Sequence, residues 1–157
     1  MLLEVRSVSG YRPADKEEVL LAAARYAVMD VPREKSNTPE RAIDALRRYL
    51  ASLDREVFGA MWLDAHHSVI DFDVISVGTV DSAMVPVREV VKKALDRNAV
   101  SAILCHNHPS GEVSPSPADE AITRRIREAL GLLEIRVVDH FVLGRGSAYS
   151  FAEHGLL

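Results

Sequence analysis

The block AVSAILCHNHPSGEVSPSPADEAITRRIREALGLL, residues 99–133, restricts the fold more than any other part of the chain. Its opening, AVSAILC, is a short apolar run bounded by polar residues, the pattern of a buried strand. The loop that follows carries Pro109, Pro115 and Pro117, which lower the entropy lost in holding one shape. From Pro117 the periodicity becomes helical, with Ile122, Ile126, Ala129, Leu130 and Leu133 expected to face inward. A buried strand feeding a helix through a stiff loop, within an order of helices, strands, helix, strand, helix and strands, suggests an α/β fold, a mixed β-sheet flanked by helices.

The remaining segments fit that plan. PADKEEVLLAAARYAVMD predicts a helix with Val19, Leu20, Ala23, Ala27 and Val28 at helical spacing. VPREKSN breaks the pattern as a linker, and a second helix is expected from Thr38, with Pro39 in its first turn. Ile43, Leu46 and Leu50 form its apolar stripe, and Arg47 and Arg48 its solvated side. EVFGAMWLD and SVIDFDVIS predict two strands joined across AHH, and VGTVDSAMV continues the extended character. After Pro86, VREVVKKALDRN predicts a helix burying Val87, Val90, Val91, Ala94 and Leu95. IRVVDHFVLG and SAYSFAE read as final strands joined at Gly144-Arg145-Gly146. This organisation suggests an N-terminal helix and linker over residues 1–37, packed on or loosely attached to a core domain over residues 38–157. Periodicity leaves the strand order open.

At 157 residues and 48% hydrophobic, the chain is long enough for one domain with a substantial core. The formal charge of −4 argues against a broad cationic surface for nucleic acid. No apolar run approaches the roughly 20 residues of a membrane span, so no membrane association is expected. The N-terminus turns polar after three residues, unlike a signal peptide. Cys105 is the single cysteine, which excludes an internal disulfide and suits a reducing, cytoplasmic location.

The chemistry concentrates in CHNHPSGEVSPSPAD, residues 105–119. On a strand, side chains at i and i+2 share a face, so His106 and His108 can converge while Cys105 turns into the core. With Asp119 they make a three-ligand set, which on zinc leaves a fourth position for water. The same residues also suit a strand end followed by a capped helix, with Ser116 at N-cap, Pro117 at N1 and Asp119 favouring the positive helix end. Residue types alone leave both readings open, and both can hold together. Adjacent H-N-H is not the dispersed motif of the nucleases of that name. HExxH, Walker A and Rossmann glycine patterns are absent, and an amidohydrolase barrel needs roughly 250 residues.

His106-x-His108 followed by Ser116-x-x-Asp119 resembles the signature of JAMM (MPN or JAB) metalloproteases, and HNHPSGEVSPSPAD resembles its RadC branch. REVFGAMWLD, VGTVDSAMVPVREVVKKAL, VVDHFVLG and YSFAEHGLL are similar to RadC-family segments in the same order, so the resemblance covers about residues 38 to 157. It implies a three-layer α/β fold related to cytidine deaminases. It also implies Zn2+ held by His106, His108 and Asp119, with Ser116 as an oxyanion donor. JAMM proteases use a glutamate from an earlier element as general base, for which Glu56 is the candidate and Glu89 a lesser one. Longer RadC proteins carry a helix-hairpin-helix region, and this sequence resembles the short form without it.

The leading expectation is a zinc-dependent hydrolase of peptide or isopeptide bonds, acting on a peptide or protein substrate. The alternatives are a non-catalytic zinc-binding scaffold and a DNA-repair or mobile-element accessory protein. The last draws on Lys92-Lys93 and Arg124-Arg125-x-Arg127, although basic runs on helices are usually solvated. Since such domains often pair, a homodimer is a further expectation. His66 and His67 read as an exposed turn and His154 as a residue without a recognisable partner. Asp139-His140 reads either as a contact behind the metal ligands or, preferentially, as a satisfied core pair.

Overall fold

The computed structural model describes residues 4–29, 39–78 and 85–157. A short hairpin, β1 (Glu4–Ser7) and β2 (Gly10–Pro13), precedes α1 (Lys16–Met29) and α2 (Pro39–Leu50). Then come β3 (Val57–Leu63), β4 (Val69–Val77), α3 (Val87–Asp96), β5 (Ser101–Asn107), α4 (Pro117–Gly131), β6 (Arg136–Leu143) and β7 (Ala148–Ser150). The main sheet has five strands in the order β4-β3-β5-β6-β7. β3 runs antiparallel to both β4 and β5, β5 and β6 are parallel, and β6 and β7 form an antiparallel hairpin.

Strand alternation sorts the core into two layers. Met61, Leu63, Ile103 and Cys105 pack with Ala24 and Val28 of α1 and Ile43, Leu46 and Leu50 of α2. Phe58, Ala60, Trp62, Ala102 and Leu104 pack with Val90 and Ala94 of α3 and Ile122, Ile126 and Leu130 of α4. The result is a three-layer α/β/α sandwich, the architecture expected of the sequence. Every residue of β3 and β5 is buried, which is why both read as apolar runs without polar alternation. Gly59 admits Phe72 across the sheet: a Cβ there would lie 2.4 Å from the ring Cζ.

Several expectations are corrected. The β1–β2 hairpin was not foreseen, because all of β2 is exposed and shows no apolar alternation. Leu95 and Leu133, expected inward, are 56% and 43% exposed. At about 100° per residue, Leu95 falls on the flank of the stripe set by Val90 and Ala94. Leu133 lies beyond the last residue of α4, where the helix has ended. Arg47 is not simply solvated: it donates to the Arg145 carbonyl at 2.8 Å and pairs with Asp44. Thr38 and most of VGTVDSAMV fall outside the described residues.

Candidate metal centre

β5 ends at Asn107, and the last turns of its ladder deliver the two histidines. His106 lies opposite Phe58 of β3 and is completely buried on the α4 side of the sheet. His108 follows the strand end, and its ring Nδ1 meets the Glu112 carbonyl at 2.8 Å within the proline-rich loop. That loop turns back immediately: Gly111, at φ +84°, donates its N–H to the His108 carbonyl at 2.9 Å. Gly111 supplies a left-handed conformation that other residues adopt only with strain.

α4 brings the carboxylate. Ser116 Oγ accepts the Asp119 N–H at 3.1 Å, and Asp119 Oδ2 accepts the Ser116 N–H at 2.7 Å, a reciprocal cap. The cap clamps the Asp119 side chain against the histidines. Asp119 Oδ1 lies 3.4 Å from His106 Nε2, and Oδ2 lies 3.5 Å from His108 Nε2. The two Nε2 atoms are 3.0 Å apart. Asp119 is therefore a helix-capping residue that also stands in a His-His-Asp cluster able to hold an ion.

The donor set fits a small divalent ion. Tetrahedral ligands at about 2.0–2.1 Å from zinc sit roughly 3.3 Å from one another, against 3.0, 3.4 and 3.5 Å here. Among the described residues, these are the three whose donor atoms converge within 4.8 Å. Two imidazoles and a carboxylate are a donor set that suits several divalent transition ions, zinc among them. The electrostatics agree with a cation-seeking site. Burial alone would raise the Asp119 pKa, but hydrogen bonds from the charged forms of His106 and His108, and from the Ser116 N–H, hold it far below the usual carboxylate range. Asp119 in turn raises His108 above the ordinary imidazole value, with burial opposing.

Glu56, just ahead of β3, comes within 3.9 Å of His108 Nε2 through Oε1. Its backbone is fixed on both sides. The Asn107 side chain accepts the Val57 N–H at 2.7 Å and donates to the Arg55 carbonyl at 3.0 Å. The Gly78 N–H donates to the Glu56 carbonyl at 2.8 Å. Asn107 thus extends the ladder past the final backbone pair of β3 and β5, a role invisible in sequence because its partners lie about 50 residues upstream. An open cleft lined by Asp54, Arg55, Gly78 and Pro109 runs past Glu56. Glu89 is exposed on the first turn of α3 and makes none of the contacts that join Glu56 to His108.

Behind the histidines, the preferred reading of Asp139-His140 as one core pair is corrected. His140 Nε2 meets His106 Nδ1 at 2.8 Å, and His140 Nδ1 meets Thr123 Oγ1 at 2.6 Å. Asp139 instead accepts from the Ser150 hydroxyl and from the N–H groups of His140 and Ala152. Cys105 faces the opposite layer, where burial pushes its thiol pKa up to about 12, so it is a packing residue. His66 and His67 are exposed as expected, whereas His154 does find partners in the Ser150 carbonyl and the Tyr149 ring.

The profile of the RadC-like JAB domain family matches residues 36–156. The chain belongs to the RadC-like JAB family. A UPF0758 protein of Methylibium petroleiphilum is 45% identical over 158 residues, covering 98% of this chain and 71% of that protein. One from Leptothrix cholodnii is 44% identical over 157 residues with the same coverage. Another, from Halorhodospira halophila, is 52% identical over 115 residues, or 71% of this chain and 51% of its own length. These UPF0758 relatives are longer than the part this chain matches. No described helix is long and apolar enough to cross a membrane.

Proposed function

We propose that this RadC-like chain is a zinc-dependent hydrolase of amide bonds, cleaving a peptide or isopeptide linkage in a cytoplasmic peptide or protein. The observation that carries the proposal is the convergence of His106, His108 and Asp119 with Glu56 beside them, Glu56 itself lining an open cleft. His106, His108 and Asp119 would hold the ion. A zinc with three protein ligands supplies an open position, Lewis-acid polarisation of a carbonyl and a water acidic enough to ionise near neutral pH.

The chain's own groups would do the rest. Glu56 takes a proton from the attacking water and passes it to the departing amine nitrogen, so that water and amide become acid and amine. Ser116 uses a hydroxyl lone pair for the cap, which leaves its hydroxyl proton to donate to the developing oxyanion. Such a donor is commonly worth about 2.7–4 kcal/mol in the transition state. Asn107, by fixing the backbone on both sides of Glu56, limits how far that carboxylate can drift.

The test is Glu56→Gln, assayed with a library of peptide and isopeptide substrates beside a metal determination. The variant should retain its zinc and lose roughly 10²–10⁴-fold in turnover. A Glu56→Gln protein as active as the parent removes Glu56 from the mechanism. A parent protein that binds zinc and cleaves nothing across the library supports the zinc-binding scaffold instead.

A further inference from the structure

The tautomer of His106 is set from outside the triad, through a chain of hydrogen bonds whose polarity can be worked out from its far end. Thr123 Oγ1 lies 2.5 Å from the Asp119 carbonyl. A carbonyl only accepts, so the single hydroxyl proton of Thr123 is committed there. Towards His140 the same oxygen can then only accept, so His140 Nδ1 carries a proton. His140 is completely buried, with the rings of Phe58 and Phe151 packed against it. The partners of its two ring nitrogens, Thr123 and His106, include no carboxylate to hold a second ring proton, which leaves His140 Nε2 as an acceptor. His106 Nδ1, 2.8 Å away, must therefore be the donor, and its Nε2 is left with a lone pair pointing at Asp119 and His108.

We infer that Thr123 and His140 are positioning residues that lock His106 as the Nδ1–H tautomer and aim its bare Nε2 at the metal. The inference rests on the metal reading proposed above. The path is closed on itself: it leaves one ligand residue at the Asp119 carbonyl and returns to another at His106. Residues 119 and 123 are one helical turn apart on α4, and His140 on β6 spans from that helix to β5. A single hydroxyl thus ties the helix-borne and strand-borne ligands to one hydrogen-bonding pattern. In its neutral form His108 reaches the same tautomer independently, since its Nδ1 can only donate to the Glu112 carbonyl. With both Nδ1 atoms engaged as donors, two lone pairs face each other at 3.0 Å beside a carboxylate. That is a geometry to which a cation gives a partner and neutral rings alone do not. Orienting partners of ligand histidines commonly set metal affinity by 10–100-fold.

The inference is tested with Thr123→Val, which keeps the shape and removes the hydroxyl, and with Thr123→Ser, which restores it; Thr123→Ala serves if the valine variant does not fold. Two quantities are read on full-length protein: zinc affinity by competition with a chromophoric chelator, and the imidazole nitrogen shifts of the metal-free protein at about pH 8, where free imidazoles are neutral. The parent should show His106 as a single Nδ1–H tautomer. Thr123→Val should weaken zinc binding roughly 10–100-fold and give His106 mixed tautomers, and Thr123→Ser should restore both. Unchanged affinity with an unchanged tautomer in Thr123→Val overturns the inference. So does weakened binding without a tautomer change, because the loss would then arise elsewhere. A parent that takes up no zinc refutes the metal reading alone, and the nitrogen shifts still decide the hydrogen-bond path.

Discussion

At position 107 strand alternation turns the side chain away from both histidines, and its amide completes the ladder to β3 on either side of Glu56. Replacing it with alanine leaves the Val57 N–H and the Arg55 carbonyl without those partners. Asn107→Ala should cost about 1–3 kcal/mol, measured by urea unfolding, with faster hydrogen exchange at the Val57 amide and unchanged metal content. Loss of metal in a folded Asn107→Ala protein would show that the amide supports the triad and not Glu56. At this scale the triad was legible in sequence, because His106 and His108 share a strand face and Ser116-x-x-Asp119 is also a helix start. Thr123 and Asn107 were not, and the His140 contact was legible only as the less favoured of two readings. Their partners lie across the sheet, and nothing in local spacing distinguishes them from ordinary core or strand-end residues.

Among the elements, α3 is fastened to β4 by ions as well as by packing. Asp73 accepts both Arg97 guanidinium hydrogen bonds at 2.9 Å and the Trp62 indole N–H at 2.8 Å. Its neighbour Asp71 receives a bidentate pair from Arg25 of α1. Burial alone would raise the Asp73 pKa, but Arg97 and Trp62 hold it below the usual carboxylate value. A depressed folded pKa means a stabilisation fully present above the unfolded value of about 3.9 and lost as pH falls below it. Asp73→Asn should therefore be about 1–3 kcal/mol less stable at pH 7. Its urea midpoint should also fall less steeply than the parent's between about pH 5 and pH 2. An identical acid dependence in both proteins would mean that other carboxylates govern acid unfolding. The helices with a strong apolar period, α2 and α4, and the strands that are continuous apolar runs, β3 and β5, were readable from sequence. The exposed β1–β2 hairpin was not, since it owes its form to pairing and not to burial. Nor were Leu95 and Leu133, because periodicity does not say where a helix stops covering the sheet.

For the whole molecule, sequence indicated a mixed sheet between helices and left the order β4-β3-β5-β6-β7 undetermined. That order depends on long-range pairing, in which β3 separates β4 from the later strand β5. It decides function as well as fold. Only with β3 beside β5 does Glu56 arrive next to His108, and only with β6 beside β5 does His140 reach His106. Helices α1 and α2 seal the opposite face and leave the end of β5 to the triad and its loop. The most direct measurement is the metal content of protein purified without a chelating tag, beside His108→Ala and Asp119→Ala. A metal centre requires about one zinc per chain in the parent, and its loss from both variants while each remains folded. A folded parent that holds no zinc, even after zinc is restored, would reduce residues 105–119 to a strand, a turn and a capped helix.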